Sequence, residues 1–330
     1  MPIRQVAVSG FPAVSLRTAE LEAVVVPSLG MKISNLRRTR GREWLWRNPR
    51  IPFTEPVPGT SYVERADSGG WDECLPTVGP SPVPGNPQEP PLPDHGELWS
   101  ARWTSSVFER DRAPTLAASA AGARFPYQFD REIALDPDEP VVRLRYRLRH
   151  TGGAPFPWIW SSHPLINVQP GSILELPGVS QVRVDAAHGR PDLDADDFVS
   201  WPGGVGGNGG SGGNGGTAGR FEFPAVNRTG WAAKLFADSA GSAAVTDPLR
   251  GERLEFSAPP GEVPQIGVWI NAGGWAPGAG EPYYNLALEP CIGAPDRLDR
   301  AADAWGLAHT LRDGEERNWT LEVRLSDPDD

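Results

Sequence analysis

The stretch Val141–His150 reads VVRLRYRLRH, and its apolar and charged side chains alternate strictly. Leu144, Tyr146 and Leu148 fall on one side of this pattern, and the arginines fall on the other. Because successive side chains of a β-strand point to opposite faces, the period of two predicts a half-buried strand. The arginine row is typical of a solvated sheet face, with an anion site as the alternative.

The same period recurs along the chain, in Tyr127–Leu135 and in a closing strand around Trp319 and Leu321. Further strands are predicted over residues 21–27, 31–36, 158–165, 232–237, 253–257, 265–271 and 283–293. One helix is predicted over residues 295–309, where apolar residues recur at helical spacing. The 38 Gly and 36 Pro residues divide the chain into short segments,. These features predict an all-β sandwich or barrel that forms a single domain over residues 1–330.

The net charge and the number of cysteines indicate which binding partners and which cellular compartment to expect. A net charge of -11 disfavours nucleic acid and anionic membranes, which leaves small neutral molecules as the expected partners,. Two cysteines, Cys74 and Cys291, are too few for a disulfide framework and are interpreted as buried thiols,. The sequence has no signal peptide and no run of roughly 20 apolar residues. A reduced, cytoplasmic protein is expected, and no oligomeric state is predicted.

The segment at 203–219 is almost pure Gly, Asn and Ser. Such a composition buries too little apolar area to offset its ordering entropy, so a disordered surface insertion is predicted. Strand patterns resume after it, and it therefore does not separate two domains. It also lacks the strand, turn and helix context of a nucleotide-binding loop.

Three residues are candidates for acid-base chemistry. His95 follows a long proline-rich loop, His163 ends an aromatic strand, and Glu289 lies in an apolar strand where an unpartnered carboxylate would be costly,. A carboxylate base and an imidazole acid with separated pKa values suit transfer of a proton between two oxygens. For each histidine alone, a solvated turn or a satisfied core residue is the alternative.

Four motifs give a more specific prediction. They are Gly70-Trp71-Asp72-Glu73, Asp94-His95-Gly96-Glu97-Leu98-Trp99, Ser162-His163-Pro164, and Leu288-Glu289-Pro290-Cys291 running on to Gly293-Ala294-Pro295-Asp296. In this order and spacing the chain resembles the aldose 1-epimerase (galactose mutarotase-like) family. The resemblance implies a large antiparallel β-sandwich of the supersandwich type, with an open sugar cleft on one sheet. It implies catalysis that requires no metal and no organic cofactor.

The resemblance also implies roles for the three candidates. Glu289 matches the family's general base and His163 its general acid, while His95 matches the histidine that binds the sugar near its ring oxygen. Glu289 would take the proton of the C1 hydroxyl as His163 protonates the ring oxygen. The ring would open to the aldehyde and reclose as the other anomer.

Substrate-binding residues are predicted around these groups. Trp71, Trp99 and Trp269 are candidate stacking walls, because an indole offers a flat apolar face to a sugar ring. Asp72 is a candidate hydrogen-bonding partner for sugar hydroxyls, and Arg65 a candidate for the family's early arginine.

Two residues of the family pattern, the early arginine and an aspartate between the second histidine and the glutamate, have no clear counterpart, which leaves the identity of the sugar open. Arg65 is the candidate for the arginine, and Asp197 and Asp238 are the candidates for the aspartate. A phosphorylated sugar would require a basic pocket, which Lys32, Lys234 or Arg65 could supply.

Two other functions use the same fold. One is a carbohydrate-binding protein that has lost turnover. The other is a glycoside hydrolase or lyase-type domain, which would require two carboxylates that flank the scissile bond.

Overall fold

A computed structural model describes residues 2–206, 219–225, 230–278 and 280–327. Most of the glycine-rich tract predicted at 203–219 therefore lies outside the described residues. Within the described part of the chain, no helix has the length and apolarity needed to cross a bilayer.

The described residues form 22 strands. They are β1 (Ile3–Val8), β2 (Phe11–Arg17), β3 (Leu21–Val26), β4 (Lys32–Arg38), β5 (Trp71–Cys74), β6 (Thr104–Arg110), β7 (Ala113–Ala121), β8 (Tyr127–Leu135), β9 (Val141–His150), β10 (Phe156–Trp158), β11 (Trp160–Ile166), β12 (Ile173–Glu175), β13 (Gln181–His188), β14 (Phe198–Ser200), β15 (Arg220–Glu222), β16 (Trp231–Asp238), β17 (Ser242–Asp247), β18 (Glu252–Ser257), β19 (Gln265–Ala272), β20 (Tyr284–Ile292), β21 (His309–Leu311) and β22 (Glu316–Ser326).

Two large antiparallel sheets pack face to face. Sheet 1 has the strand order β1-β2-β3-β4-β5-β11-β20-β19-β16-β13-β14, and sheet 2 has the order β15-β12-β17-β18-β22-β9-β8-β7-β6. Strands β10 and β21 form a small separate pair. The prediction of an all-β antiparallel sandwich is confirmed.

The core lies between the two sheets and is rich in aromatic residues. The Trp160 ring of sheet 1 lies 5.0 Å from Trp319 and 4.9 Å from Tyr146 of sheet 2, centroid to centroid. A single apolar cluster joins residues from Val14 near the start of the chain to Leu325 near its end. Most of the 13 tryptophans therefore fill space inside the sandwich, as their size favours.

The predicted arginine row of β9 lies on the outer face of sheet 2. Arg145 contacts Glu132 at 2.7 Å and Arg147 contacts Asp130 at 2.6 Å, and both arginine side chains are about half exposed. These two positive charges are thus matched across the ladder, which favours a solvated sheet face over an anion site.

The helix predicted over residues 295–309 is shorter than its pattern suggested. An α-helical turn α2 (Leu298–Arg300) continues as a π-helical turn over Ala301–Trp305 and ends at Gly306, whose φ is +68°. The left-handed conformation of Gly306 stops the helix before the end of the apolar pattern. A second short helix, α1 (Tyr62–Arg65), was not predicted.

Two leucine substitutions test the position of the core. Leu321 on β22 is 1% exposed and Leu249 is 78% exposed. Leu321→Ala should lower the free energy of unfolding by about 2–5 kcal/mol, because it leaves a cavity between the sheets. Leu249→Ala should change it by less than about 0.5 kcal/mol. Urea denaturation of both variants measures the difference, and equal effects would contradict the assigned core.

Candidate active site

A cleft of about 220 Å³ opens on the outer face of sheet 1, above β11, β20, β19, β16 and β13. It is smaller than the about 300–1,000 Å³ typical of sites for drug-sized ligands, which suits one small molecule. His95, His163 and Glu289 all line it. The three residues singled out from the sequence are therefore brought together.

Strand alternation places the cleft residues of β20. Leu286 and Leu288 point into the core, whereas Asn285 and Glu289 belong to the opposite face and line the cleft. Successive side chains of a strand alternate between faces, so two of these four residues face the core and two face the cleft. An apolar strand can thus carry a carboxylate to the floor of the cleft.

Glu289 is fully buried, and three polar groups surround it. Its Oε1 lies 2.6 Å from Lys234 Nζ and 3.9 Å from His163 Nε2, and its Oε2 accepts a hydrogen bond from Ser161 Oγ at 3.1 Å. Lys234 Nζ also lies 3.1 Å from Asp296 Oδ1. Burial alone would lower the pKa of Lys234, but the two carboxylates raise it above its ordinary value,. Lys234 is therefore a fixed positive charge on the cleft floor.

The two histidines meet edge to face, with ring centroids 4.8 Å apart, and their pKa values are shifted in opposite directions. His95 Nδ1 lies 2.8 Å from Asp94 Oδ1. Burial opposes the charged form of His95, yet Asp94 raises its pKa above the ordinary value. Burial lowers the pKa of His163 well below its ordinary value, and the charges of His95 and Lys234 add to this effect,.

A short loop and a buried tyrosine hold His95. His95 itself has a φ of +59°, an uncommon conformation for a residue with a side chain, and Gly96 follows with +69°,. Its ring stacks on Tyr62 with centroids 3.9 Å apart. The Tyr62 hydroxyl donates to Asp72 Oδ2 at 2.5 Å, and Lys32 is ion-paired with the same carboxylate. Asp72 therefore supports the platform beneath His95 and does not line the cleft, contrary to its predicted role.

Of the three tryptophans predicted as stacking walls, Trp269 lines the cleft and the other two do not. Trp71 is fully buried and packs against Phe256 of sheet 2, with ring centroids 5.6 Å apart. Trp99 is 3% exposed and donates its indole N–H to the Asp94 carbonyl at 3.1 Å, so it braces the loop from behind. The predictions for Trp71 and Trp99 are wrong, because both rings are used in packing.

The predicted charged partners are also placed differently. Arg65 is exposed at the end of α1 and does not line the cleft, and Asp197 and Asp238 are exposed and do not line it either. Lys234 lines the cleft but is bound to carboxylates, and Lys32 is committed to Asp72. The described residues that line the cleft thus provide no uncommitted cation for a phosphate group.

Several cleft residues were missed by the sequence analysis. They are Asp67, Asp185, Trp275, Tyr283 and Asn285, with Asp296, which was quoted in a motif without a role. Asp185 lies at a shift in the register between β13 and β16, a bulge of the kind often found beside functional sites,. Trp275 packs against Trp269 at 5.6 Å and against Tyr283 at 5.9 Å, so the three rings form one aromatic wall.

The two cysteines are buried thiols, and the described residues form no cluster suited to a metal ion. Cys74 and Cys291 are free and buried, and burial, followed by the charge of Glu289, raises the pKa of both thiols. They match the expected inert thiols. Within the described ranges, no three His, Cys, Asp or Glu residues are grouped to hold a metal ion.

The loop that presents His95 can be tested with two glycines of positive φ. A Cβ on Gly96 would lie 2.3 Å from the Leu75 carbonyl oxygen, whereas Gly85 in the same proline-rich segment has nothing within 4 Å. Gly85→Ala should cost about 1 kcal/mol from backbone strain. Gly96→Ala should cost roughly 3 kcal/mol, because the loop must shift. Thermal unfolding measures both effects, and equal losses would argue against the tight contact at Gly96.

Comparisons with known proteins find solved structures that share this fold. No family model and no curated protein matches the sequence. Among solved structures, a galactose mutarotase related enzyme from Lactobacillus acidophilus is similar at a TM-score of 0.65 and 12% identity, over 96% of this chain and 97% of that one. A galactose mutarotase-like protein from Lactobacillus casei is similar at 0.66 and 15%, over 95% and 100%. A galactose mutarotase-like protein from Clostridium acetobutylicum is similar at 0.61 and 11%, over 98% of both chains. The chain therefore has the galactose mutarotase-like fold that its four motifs predicted.

Proposed function

We propose that the protein is an aldose 1-epimerase-like isomerase, which interconverts the α and β anomers of an aldose. The observation that carries this proposal is the meeting of Glu289, His163 and His95 in one small cleft. His163 Nε2 lies 3.9 Å from Glu289 Oε1, and the two imidazole rings are 4.8 Å apart. These separations allow the three groups to reach the oxygens of a single pyranose ring.

Glu289 is the proposed base. Lys234 contacts one of its carboxylate oxygens and Ser161 the other, so lone pairs remain on both for a substrate hydroxyl,. Glu289 takes the proton of the C1 hydroxyl, the C1–O5 bond breaks, and the ring oxygen receives a proton. The product is the open-chain aldehyde. After rotation about C1–C2 the same steps run in reverse and give the other anomer.

The proposed proton donor differs from the one that the family resemblance implies. The resemblance assigned this role to His163, but its pKa is lowered by burial, so it is neutral near pH 7. His95 has Asp94 behind its Nδ1, which favours the protonated ring, and it lines the same cleft. We therefore assign proton donation to His95. His163 then hydrogen-bonds a sugar hydroxyl beside the base.

The aromatic wall supports sugar binding. Trp269, Trp275 and Tyr283 stand on the side of the cleft that lies over β19 and β20, and flat rings of this kind stack on the C–H face of a sugar,. They supply binding energy that does not depend on the protonation state of the acid-base groups.

One observation favours a second function, a carbohydrate-binding protein without turnover. Lys234 lies 2.6 Å from Glu289, so the carboxylate already has a cationic partner within the cleft. The same cleft would then bind a sugar without opening it. A measured rate of anomerisation separates the two functions.

Glu289→Gln tests the base. The amide keeps the shape of the side chain but cannot accept the proton, so kcat should fall about 10²–10⁴-fold. The rate is measured by NMR exchange between the anomers of fresh α-glucose and α-galactose, with the buffer rate subtracted. Glu109→Gln is the matched control, because Glu109 is exposed on β6 of the other sheet.

Two results would contradict this assignment. An unchanged rate in Glu289→Gln would exclude Glu289 as the base. A wild-type rate equal to that of the buffer, over a panel of aldoses that nevertheless bind, would support the binding protein instead.

Asp94→Asn tests the donor. The Asp94 carboxylate raises the pKa of His95, so the wild-type donor stays protonated to higher pH than a free imidazole. Removal of the charge should lower that pKa and move the alkaline limb of the kcat/KM profile to lower pH. Profiles of wild type, Asp94→Asn and His163→Asn check this point. A shift of the alkaline limb in His163→Asn, with none in Asp94→Asn, would return the role to His163.

A further inference from the structure

Carboxylates outnumber cations around the cleft. Asp67, Asp185, Asp296 and Glu289 line it, and Lys234 is the one lysine or arginine among the described lining residues. Lys234 is shared between Glu289 and Asp296, and Arg300 is shared between Asp185 and the exposed Asp196. Even after these pairs are counted, the negative charges exceed the positive charges.

Two buried oxygen atoms in the cleft have no partner. Asp67 is 6% exposed and Asn285 is 1% exposed, and within the described part of the chain neither Asp67 Oδ1 nor Asn285 Oδ1 has a hydrogen-bond partner. Buried polar atoms are normally hydrogen-bonded, and those that are not mark places where a ligand can supply the missing bond. Both atoms are acceptors, so the ligand group that meets them must be a donor.

Hydrogen bonds of Asn48 connect the segments that carry the two residues. Asn48 Nδ2 donates to the Asp67 carbonyl at 2.7 Å and to the Tyr283 hydroxyl at 2.9 Å. Tyr283 is two residues before Asn285 and forms one end of the aromatic wall. A ligand group at this place would meet a carboxylate, an amide oxygen and the nearby face of an aromatic ring.

We infer that the cleft takes an aldose that carries a protonated amino group, and that Asp67 and Asn285 accept hydrogen bonds from its ammonium. An ammonium has three donors and no acceptor, which complements two unpartnered oxygens and compensates the excess negative charge. The anomerisation of such a sugar rests on the proposed function, but its selective binding does not.

Other classes of sugar fit the cleft less well. A phosphate or a uronate carboxylate has acceptors only and would be repelled by the lining carboxylates, and Lys234, the one lysine or arginine among the described lining residues, is already paired with two of them. A neutral hydroxyl donates one hydrogen bond but brings no positive charge to Asp67, whose cationic neighbours His95 and Lys32 do not offset its burial. The burial of that charge is costly, since burial raises the pKa of Asp67 to about 6,.

The test compares four sugars on the full chain at neutral pH. Glucosamine, glucose, N-acetylglucosamine and glucose 6-phosphate are titrated by calorimetry, and their anomeric exchange is followed by NMR. Glucosamine should bind about tenfold more tightly than glucose, the gain expected of a charge-assisted hydrogen bond. N-acetylglucosamine should lose this advantage because its nitrogen is uncharged, and glucose 6-phosphate should bind most weakly.

Asp67→Asn tests whether the Asp67 carboxylate causes the preference for glucosamine. The amide preserves the shape and removes the charge, so the ratio of glucosamine affinity to glucose affinity should fall to near unity. Asp303→Asn is the matched control, because Asp303 is exposed and does not line the cleft. A preference that survives in Asp67→Asn would overturn the inference.

A measurement on the unmodified chain guards against a variant that does not fold. The glucosamine-to-glucose affinity ratio should fall as the pH drops through about 6, because Asp67 is then protonated while the amine stays charged. Equal affinity for glucosamine and glucose at neutral pH, or a ratio independent of pH, would overturn the inference. Tight glucosamine binding without anomerisation would instead reject the proposed function and leave the inference standing.

Discussion

The site depends on the two-residue alternation of β5, β11 and β20, which lie side by side in the middle of sheet 1. One face of each strand must bury large apolar groups against sheet 2, and the other face is then free to carry polar groups outward. On β20 the core face holds Leu286 and Leu288, while the outer face holds Asn285 and Glu289. A slip of one residue in the register would bury Glu289 between the sheets and expose leucine, so the packing of the core fixes the position of Glu289.

Burial makes the charges of the cleft interdependent. Glu289 is fully buried, and contacts with Lys234 and Ser161 offset the cost of burying its carboxylate,. The charge of Lys234 in turn helps to keep His163 neutral, whereas Asp94 favours protonated His95. Two imidazoles less than 5 Å apart thus have opposite charge preferences. Such a separation of pKa values is what one acid and one neutral hydrogen-bonding group require.

The sequence predicted the strands well because alternation is a local signal. The bounds of β8 and β9 match the predicted segments, and the four motifs singled out from the sequence include His95, His163 and Glu289, which line one cleft. Alternation also shows why Trp71 and Asp72 could not both contact the sugar, as was predicted. The two residues are adjacent on β5, so their side chains point to opposite faces of the sheet. Asp67, Asn285 and Trp275 carry no local signal. Their role arises from contacts between distant segments, which single-sequence patterns do not encode.

The position of His95 also depends on the sandwich as a whole. Glu97, two residues later, accepts hydrogen bonds from the backbone of Ala123 and Arg124 at 3.0 and 2.8 Å and from the Tyr127 hydroxyl at 3.0 Å. Tyr127 begins β8 of sheet 2, so this carboxylate ties the loop to the opposite sheet. The base is thus proposed on sheet 1, and the loop that bears the proposed acid is fastened to both sheets, because the Glu97 N–H also donates to the carbonyl of Leu75 at 2.8 Å, just after β5. The position of this loop relative to Glu289 therefore depends on its contacts with β5 as well as on the packing of the two sheets.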